Sequence, residues 1–279
     1  MKAIGGLAGL FAALAAMGVN PRASAELLVA PLRQVVTAKT PVARYQISNP
    51  SDRFVEARVG WIDLSATPDG YETASADARP ALSAAPYLVV SPARLRLEPG
   101  ARAEVVVRLK KGATIPAGER RSHLLIETRP ARTPLRRASS GLEADVGLGV
   151  STPVILRGGY AAPAVAFGRS KLIRDENGLL ALETTVTSAG RFSAYGTLEA
   201  ALIADGRMEG LARIANVAVY PDAGARRLVL PLARERLPGG VLQVTFTGDG
   251  EASGQRLAEK LFEVEPPADP RPGEVSAGR

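Results

Sequence analysis

Short runs of alternating apolar and polar residues, each closed by proline, glycine or asparagine, constrain the fold of this chain more than any other feature. Residues 42–47 alternate and stop at Ser48-Asn49-Pro50, and residues 54–61 alternate again before Asp63. Period two is the repeat of a half-buried β-strand, and short strands between turn residues are typical of sandwiches and barrels. No segment after residue 25 has the apolar repeat of a long helix. The sequence therefore predicts an all-β fold.

The strand-like runs continue on both sides of Gly158-Gly159, which divides them into two groups. In the second group, Asn177-Gly178 lies between apolar runs, and this is the strongest short signal for a β-hairpin. Asp205-Gly206 indicates another turn. A chain of 279 residues is long enough for two domains of about 100–150 residues each. We therefore predict two domains, at residues 26–157 and 158–265.

Both ends of the chain differ in composition from the predicted strands. Lys2 precedes an apolar stretch from Ile4 to Val19, and Ala23-Ser24-Ala25 follows it. This order is typical of a cleaved secretory signal peptide, which we place at 1–25. The stretch is shorter than the roughly 20 apolar residues that span a bilayer, so we expect no stable membrane insertion. Residues 266–279 are rich in Pro, Glu and Gly, which predicts a disordered tail.

The charge pattern argues against nucleic acid as a partner. The formal net charge is +7, and most arginines are scattered through the predicted strands. One cluster stands apart and consists of Arg129, Arg132, Arg136 and Arg137. Single-stranded nucleic acid is bound by aromatic side chains among such charges, and this cluster has none. We interpret it as a basic loop.

The composition also argues against an enzyme or a metal site. The chain has no cysteine and a single histidine, His123, so the usual zinc ligand sets cannot be assembled. A hydrolytic nucleophile at a Gly-x-Ser-x-Gly elbow is absent from the sequence. His123 lies on a predicted strand, where a structural role is the simpler interpretation. We predict no catalytic activity, no metal and no cofactor.

The most regular strand pattern lies at residues 142–150. Its apolar face consists of Leu142, Ala144, Val146, Leu148 and Val150, and the other face carries Glu143 and Asp145. The pattern alone favours an ordinary core strand of the first domain. The alternative is an edge strand that offers its apolar row to a partner, because exposed strand edges pair readily with other chains.

Several segments together resemble the PapD-like periplasmic chaperones of pilus assembly. They are Arg33-Gln34-Val35-Val36, Ile47-Ser48-Asn49, residues 91–100 with their Leu97-Glu98-Pro99-Gly100 end, Glu119-Arg120-Arg121-Ser122, residues 142–150 and residues 152–157. Each motif alone is weak, but the set is specific, and it covers about residues 27–159. The resemblance implies two tandem immunoglobulin-like β-sandwich domains in a periplasmic chaperone that is not an enzyme.

The resemblance also implies a mechanism and a class of partner. In this family, the chaperone lends an edge strand to a pilin-like subunit that lacks its own final strand. On that mapping Ala144, Val146 and Leu148 enter the groove of the subunit, and Val150 follows. An outer-membrane usher is left open as a further partner. A structural or adhesive immunoglobulin-like cell-surface protein is the alternative function.

Two positions depart from the pattern of the family. The family holds the C-terminal carboxylate of the subunit with two basic residues, and the first falls on Arg33, whose guanidinium can donate two parallel hydrogen bonds to a carboxylate. The second falls on Pro153, which has no N–H to donate. Either Arg33 acts alone, another basic group serves, or the client is not anchored in this way. Arg157 matches an interdomain arginine, but its expected acidic partner position reads Arg121. Glu119 is the nearby acid that we consider instead.

Overall fold

The computed structural model describes residues 27–130 and 149–265. Within these ranges the chain is built almost entirely of β-strands, with one α-helical turn, α1, at Arg79–Leu82. Among the residues described, no helix is long and apolar enough to cross a membrane. The predicted signal peptide at 1–25 and the predicted tail at 266–279 lie outside the described residues, so both stay predictions.

The strands fall into two consecutive groups. The first group is β1 (Leu28–Ala30), β2 (Gln34–Val36), β3 (Val42–Ser48), β4 (Val55–Ile62), β5 (Leu64–Thr67), β6 (Gly70–Thr73), β7 (Leu88–Ser91), β8 (Arg94–Leu97), β9 (Arg102–Leu109), β10 (Gly118–Pro130) and β11 (Gly149–Gly158). The second group is β12 (Ala164–Arg174), β13 (Leu180–Ala189), β14 (Ala194–Ala204), β15 (Arg207–Val219), β16 (Ala225–Arg234), β17 (Gly240–Gly248) and β18 (Arg256–Val264).

Two sheets of the first group pack face to face, one with strand order β1-β3-β9-β7 and the other with order β2-β11-β10-β4-β8. Alternate residues of β3 point inward, so Ala43, Tyr45 and Ile47 are buried while Val42, Arg44 and Gln46 are exposed. The facing sheet supplies a matching apolar set, namely Leu124, Ile126, Val154 and Leu156. Burial of each large apolar side chain stabilises the fold by about 1.5–3 kcal/mol.

The second group forms its own sandwich from the sheets β12-β13-β16 and β15-β14-β17-β18. Its core is separate from the first and includes Leu182, Val186, Leu198, Leu230, Val244 and Phe246. The strands again bury one face by alternation, as β17 shows with every second residue inward. The predicted all-β fold of two tandem immunoglobulin-like β-sandwich domains is therefore confirmed.

Both turns that the sequence indicated in the second domain join neighbouring antiparallel strands. In the turn between β12 and β13, the Asp175 carboxylate accepts two backbone hydrogen bonds at 2.9 Å, and Gly178 has a φ of 77°. Between β14 and β15, Asp205 and Gly206 have φ angles of 50° and 70°. Glycine, asparagine and aspartate tolerate this left-handed backbone, which the two-residue turn Asp205-Gly206 requires at both positions. Both hairpin predictions are confirmed.

Replacing Gly158 by alanine should destabilise the first domain where β11 leaves it. A Cβ atom at Gly158 would lie 2.0 Å from the backbone oxygen of Pro116, and a backbone atom cannot move aside cheaply. We expect the free energy of unfolding to fall by about 2–3 kcal/mol, as for other overpacking changes. Urea denaturation measures it. The matched control is Gly60→Ala in β4, where a Cβ meets nothing within 4 Å. Equal stabilities of the two variants would contradict the prediction.

Candidate functional site

The outer face of the sheet β2-β11-β10-β4-β8 meets the second domain and carries an unusual set of polar side chains. The register of β10 and β11 places three cross-strand pairs on it, namely Glu119 with Arg157, Arg121 with Ile155, and His123 with Pro153. Directly opposite residues of an antiparallel pair share a face. Arg121, His123 and Arg157 are each at most 3% exposed. Charged groups buried to this degree need partners.

Arg157 is paired on both sides of the domain boundary. Its Nη2 lies 2.8 Å from Oε2 of Glu119, and its Nε donates to the same oxygen at 2.9 Å. From the second domain, the Ser193 hydroxyl accepts from Nη2 at 3.1 Å, and Oε1 of Glu251 lies 2.7 Å from Nη1. The backbone N–H and hydroxyl of Ser193 also donate to Glu119, at 3.1 and 3.0 Å. We call these four residues the junction network.

The junction network settles which acid accompanies Arg157. Glu119 is the partner, and position 121, where a straight alignment placed the acid, is not. Residues 119 and 121 lie on the same face of β10. An alignment shifted by two residues therefore places Glu119 at the position of the acid and keeps the same face of the strand toward Arg157. Burial disfavours the charge of Arg157, but Glu119 and Glu251 outweigh it and raise the pKa of Arg157 above its ordinary value. Burial likewise opposes the charge of Glu251, yet its backbone hydrogen bond and Arg157 lower its pKa.

Arg121 has an acidic partner of its own in the second domain. Its Nη2 and Nη1 donate to the two carboxylate oxygens of Asp222 at 2.8 and 3.1 Å. Nη2 also donates to the backbone oxygen of Leu64 at 2.8 Å, and the guanidinium centre lies 3.9 Å from the centre of the Tyr220 ring. This forked pairing suits a planar guanidinium. The arginine at position 121 is thus accommodated by an acid that is remote in sequence.

The hairpin of β5 and β6 makes a second bridge between the domains. The backbone N–H of Ala66 donates to Oδ2 of Asp222 at 2.7 Å. The backbone N–H of Arg227 donates to the Pro68 oxygen at 2.7 Å, and its side-chain Nε lies 3.2 Å from Oδ1 of Asp69. The hairpin therefore contacts two separate segments of the second domain. Contacts at two places restrict rotation of one domain against the other.

Arg33, the predicted carboxylate anchor, lies immediately before β2 in a cleft between the domains. Its Nη2 donates to the Ser193 hydroxyl at 3.1 Å, and its guanidinium centre lies 4.4 Å from the centre of the Tyr195 ring. Pro153 lines the same cleft, whose volume is about 240 Å³. The carbonyl of Pro153 accepts a hydrogen bond from the Tyr45 hydroxyl at 3.3 Å. The structure thus brings the two predicted anchor positions together, and only one of them is a cation.

The predicted donor row is described only at its C-terminal end. Ala144, Val146 and Leu148 lie outside the described residues, so their assignment stays a prediction. Val150 is the second residue of β11, stands opposite Ile126, and is half-buried. The alternation of β11 places Val150 on the face that its later residues turn toward the first core.

The first part of β11 has one open edge. Residues 149–153 pair with β10, whereas β2 pairs with β11 only at Val154–Leu156. Within the described ranges, no strand pairs with the other side of residues 149–153. Pro153 has no N–H, its carbonyl already accepts from Tyr45, and the Thr152 hydroxyl donates to the Leu32 oxygen at 2.6 Å. The outward backbone groups available to a further strand are therefore those of residues 149–151.

His123 is buried opposite Pro153. Neither ring nitrogen has a hydrogen-bond partner among the described residues, and the ring packs edge-on against Tyr71 at 5.1 Å between centroids. Burial, followed by the charge of Arg121, lowers the pKa of His123 to about 4, against an opposing effect of Asp222. In the described part of the chain, His123 makes no hydrogen bond to a carboxylate, which a triad base uses for orientation. The same residues hold no group of three metal-ligating side chains.

Four residues of the domain boundary were missed in the sequence. They are Ser193, Asp222, Arg226 and Glu251, and Arg226 lines the same cleft as Arg33. Each lies in a turn or near the end of a strand of the second domain. No local pattern distinguishes such polar residues from ordinary surface positions, so only the packing of the two domains reveals them.

Comparison with known proteins gives a structural similarity alone. Neither a family model nor a curated protein sequence matches the chain. The YadV chaperone is similar at 10% identity and a TM-score of 0.44, over 86% of this chain and 100% of that one. The SafB chaperone of Salmonella enterica, solved with the SafA pilin, has 16% identity and a TM-score of 0.43, over 85% and 96%. The CupB2 chaperone of Pseudomonas aeruginosa has 15% identity and a TM-score of 0.42, over 85% and 98%.

Removing the charge of Glu119 should destabilise the protein, because Arg157 would stay buried with one acidic partner fewer. We expect Glu119→Gln to lower the free energy of unfolding by about 3 kcal/mol, the usual effect of breaking a buried pair. The control is Glu104→Gln, which breaks an exposed pair with Arg44 and should cost less than about 1 kcal/mol. Chemical denaturation of both variants measures the difference. A change for Glu119→Gln as small as the control would contradict the buried pairing.

Replacing His123 by leucine should reduce the sensitivity of the protein to acid. The unfolded chain binds a proton at His123 below about pH 6.5, whereas the folded protein does so only near pH 4, so acid favours unfolding across this window. Between these pH values, the free energy of unfolding of the wild type should fall by about 3 kcal/mol more than that of His123→Leu. Urea denaturation at a series of pH values measures this. Parallel curves for the two proteins would show that His123 has no such role.

Proposed function

We propose that this chain is a periplasmic chaperone that stabilises pilin-like subunits by donor-strand complementation before their assembly at the outer membrane. Secretion through the cleaved peptide 1–25 is part of the proposal. Strand donation is assigned to the domain at 26–157, with the domain at 158–265 behind the cleft. The observation that carries the proposal is the open edge of β11 at residues 149–151, which directly follows the alternating row at 142–148.

The open edge favours a polypeptide as the ligand. An unpaired strand edge presents a row of backbone donors and acceptors, and an extended segment of another chain satisfies them. These hydrogen bonds do not depend on the sequence of the partner. A subunit that lacks one strand has the complementary gap, because the edges beside the gap are also unpaired.

The apolar row at residues 142–148 contributes binding energy and fixes the register of the strand against its partner. Val146 and Leu148, if buried in a partner, each contribute about 1.5–3 kcal/mol before ordering costs. Glu143 and Asp145 lie on the opposite face of the same strand and can remain in water. A slip of one residue would bury these acids, so the alternation selects a single register.

A preformed cleft at the domain boundary lies beside the open edge of β11. The junction network and the Arg121–Asp222 pair tie the domains together, so little domain motion has to be frozen when a client binds. Arg33 is the proposed anchor for the C-terminal carboxylate of the client. The proposal includes no cofactor and no catalytic residue, and it leaves an outer-membrane usher open as a further partner.

Co-expression with a pilin-like subunit from the same gene cluster tests the proposal. The subunit should be soluble in the periplasm only when this chain is present, and the two should co-purify one to one. Leu148→Glu should abolish the rescue, because an unpaired carboxylate would enter an apolar groove at a cost of several kcal/mol. Quantitative immunoblotting of the periplasmic fraction measures the soluble subunit.

Met208→Glu is the matched control for this experiment. Met208 is 69% exposed on the second domain, so the same charge is added at an apolar site away from β11. This variant should rescue the subunit like the wild type. Rescue by Leu148→Glu at the wild-type level would show that the strand is wrongly assigned. Recovery of the chain in the outer-surface fraction, without release of a subunit, would favour the structural or adhesive alternative.

A further inference from the structure

The cleft that contains Arg33 carries positive charge from both domains. Its lining includes Arg33 from the first domain and Arg226 from the second, and no aspartate or glutamate lines it. Tyr195 and Tyr220 also line the cleft, and burial raises the pKa of both above the ordinary value. These hydroxyls are therefore neutral at physiological pH. Glu251 lies outside the lining but close enough for the charge of Arg33 to act on it. Among the described residues, a lining with two cations and no anion favours a negatively charged ligand.

Arg33 already uses part of its hydrogen-bonding capacity within the protein. Its Nη2 already donates to the Ser193 hydroxyl, and its flat face lies against Tyr195. Its Nε is enclosed and has no partner among the described residues. That leaves Nη1 and the second N–H of Nη2 to reach a ligand. An ionised carboxylate accepts at both oxygens, with about four lone-pair sites, so a second cation can add hydrogen bonds that Arg33 does not make.

The other polar groups around the cleft supply no second cation. Pro153 has no N–H, and the Tyr195 hydroxyl donates to Oδ1 of Asn216 at 2.6 Å. Arg226 is the remaining charged residue of the lining. In the described part of the chain, the Arg226 side chain makes no hydrogen bond or ion pair, whereas its backbone belongs to the ladder between β13 and β16. Its neighbour Arg227, in contrast, pairs with Asp69 at 3.2 Å.

We propose that Arg226 is the second cation of a carboxylate site that is divided between the two domains, with Arg33 as the first. This inference rests on the proposed function, in which the ligand is an extended polypeptide. It assigns to Arg226 the role of the second basic residue that would stand at position 153, where this chain has proline. The carboxylate binds between the guanidinium groups of Arg33 and Arg226. Apolar lining residues, such as Leu32 and Leu228, contact the last side chain of the ligand. Because each domain contributes one arginine, the relative position of the domains decides whether both reach the ligand.

A pair of labelled peptides tests the inference on the full-length protein. The probe is fluorescein-Ser-Val-Thr-Val-Ala with a free carboxylate, and its partner is the same peptide as an amide. Fluorescence anisotropy measures both affinities. A charge-assisted hydrogen bond is worth about tenfold or more in affinity, so the wild type should prefer the free acid by at least that factor. Arg226→Gln should lose about tenfold in affinity for the acid and nothing for the amide.

Two further variants separate the role of Arg226 from general effects. Arg226→Lys keeps the charge and should retain most of the preference for the acid. Arg207→Gln removes an exposed arginine at the start of β15 and should bind both peptides like the wild type. An unchanged ratio of acid to amide affinity in Arg226→Gln would overturn the inference. An equal loss for both peptides would also overturn it, because the effect would then not depend on the carboxylate.

An excess of sodium acetate distinguishes a polypeptide end from a free anion. Acetate should displace the acid peptide only at concentrations far above the dissociation constant of the peptide, and displacement at equal concentrations would overturn the assignment to a polypeptide end. A wild type that binds acid and amide equally would eliminate the carboxylate site. The rescue experiment with Leu148→Glu would still decide the proposed function, since strand donation does not depend on the cleft.

Discussion

The ion pair between Arg157 and Glu119 is the interaction on which the arrangement of the two domains depends. Both side chains are 2% exposed, and Ser193 and Glu251 of the second domain complete the pairing. Desolvating such charges costs several kcal/mol, and their attraction offsets this cost only in good geometry. A displaced second domain would leave a buried charge without part of its partners. The contacts of Ser193 and Glu251 with this pair therefore favour one orientation of the domains.

The neighbouring contacts extend this constraint along the boundary. Asp222 binds Arg121 through both of its carboxylate oxygens and also accepts from the backbone of Ala66. One loop of the second domain thus holds both a strand and a hairpin of the first. Together with the junction network, these contacts place the second domain behind the outer face of β10 and β11. The open edge of β11 and the cleft next to Arg33 consequently have a fixed relation to each other.

Charge is distributed unevenly along this boundary, and the distribution favours some ligands over others. Arg121 pairs with Asp222 of the second domain, and Arg157 pairs with Glu119 of its own domain and Glu251 of the second. In contrast, no acid lines the cleft of Arg33 and Arg226 among the described residues, so its lining carries positive charge. Burial first, and then the charge of Arg121, lower the pKa of His123 and hold the ring neutral.

The sequence by itself determined the strands, the hairpin turns and the division into two sandwiches, because period-two alternation and turn residues act over a few neighbouring positions. It also pointed to Arg33, Arg157 and residues 142–150 through their place in the motifs. Only the tertiary structure decided that Glu119 accompanies Arg157, that Asp222 accompanies Arg121, and that Arg226 shares a cleft with Arg33. These partners are 38, 101 and 193 residues apart along the chain. No local pattern encodes such pairs, since they exist only when two separately folded sandwiches bring their surfaces together.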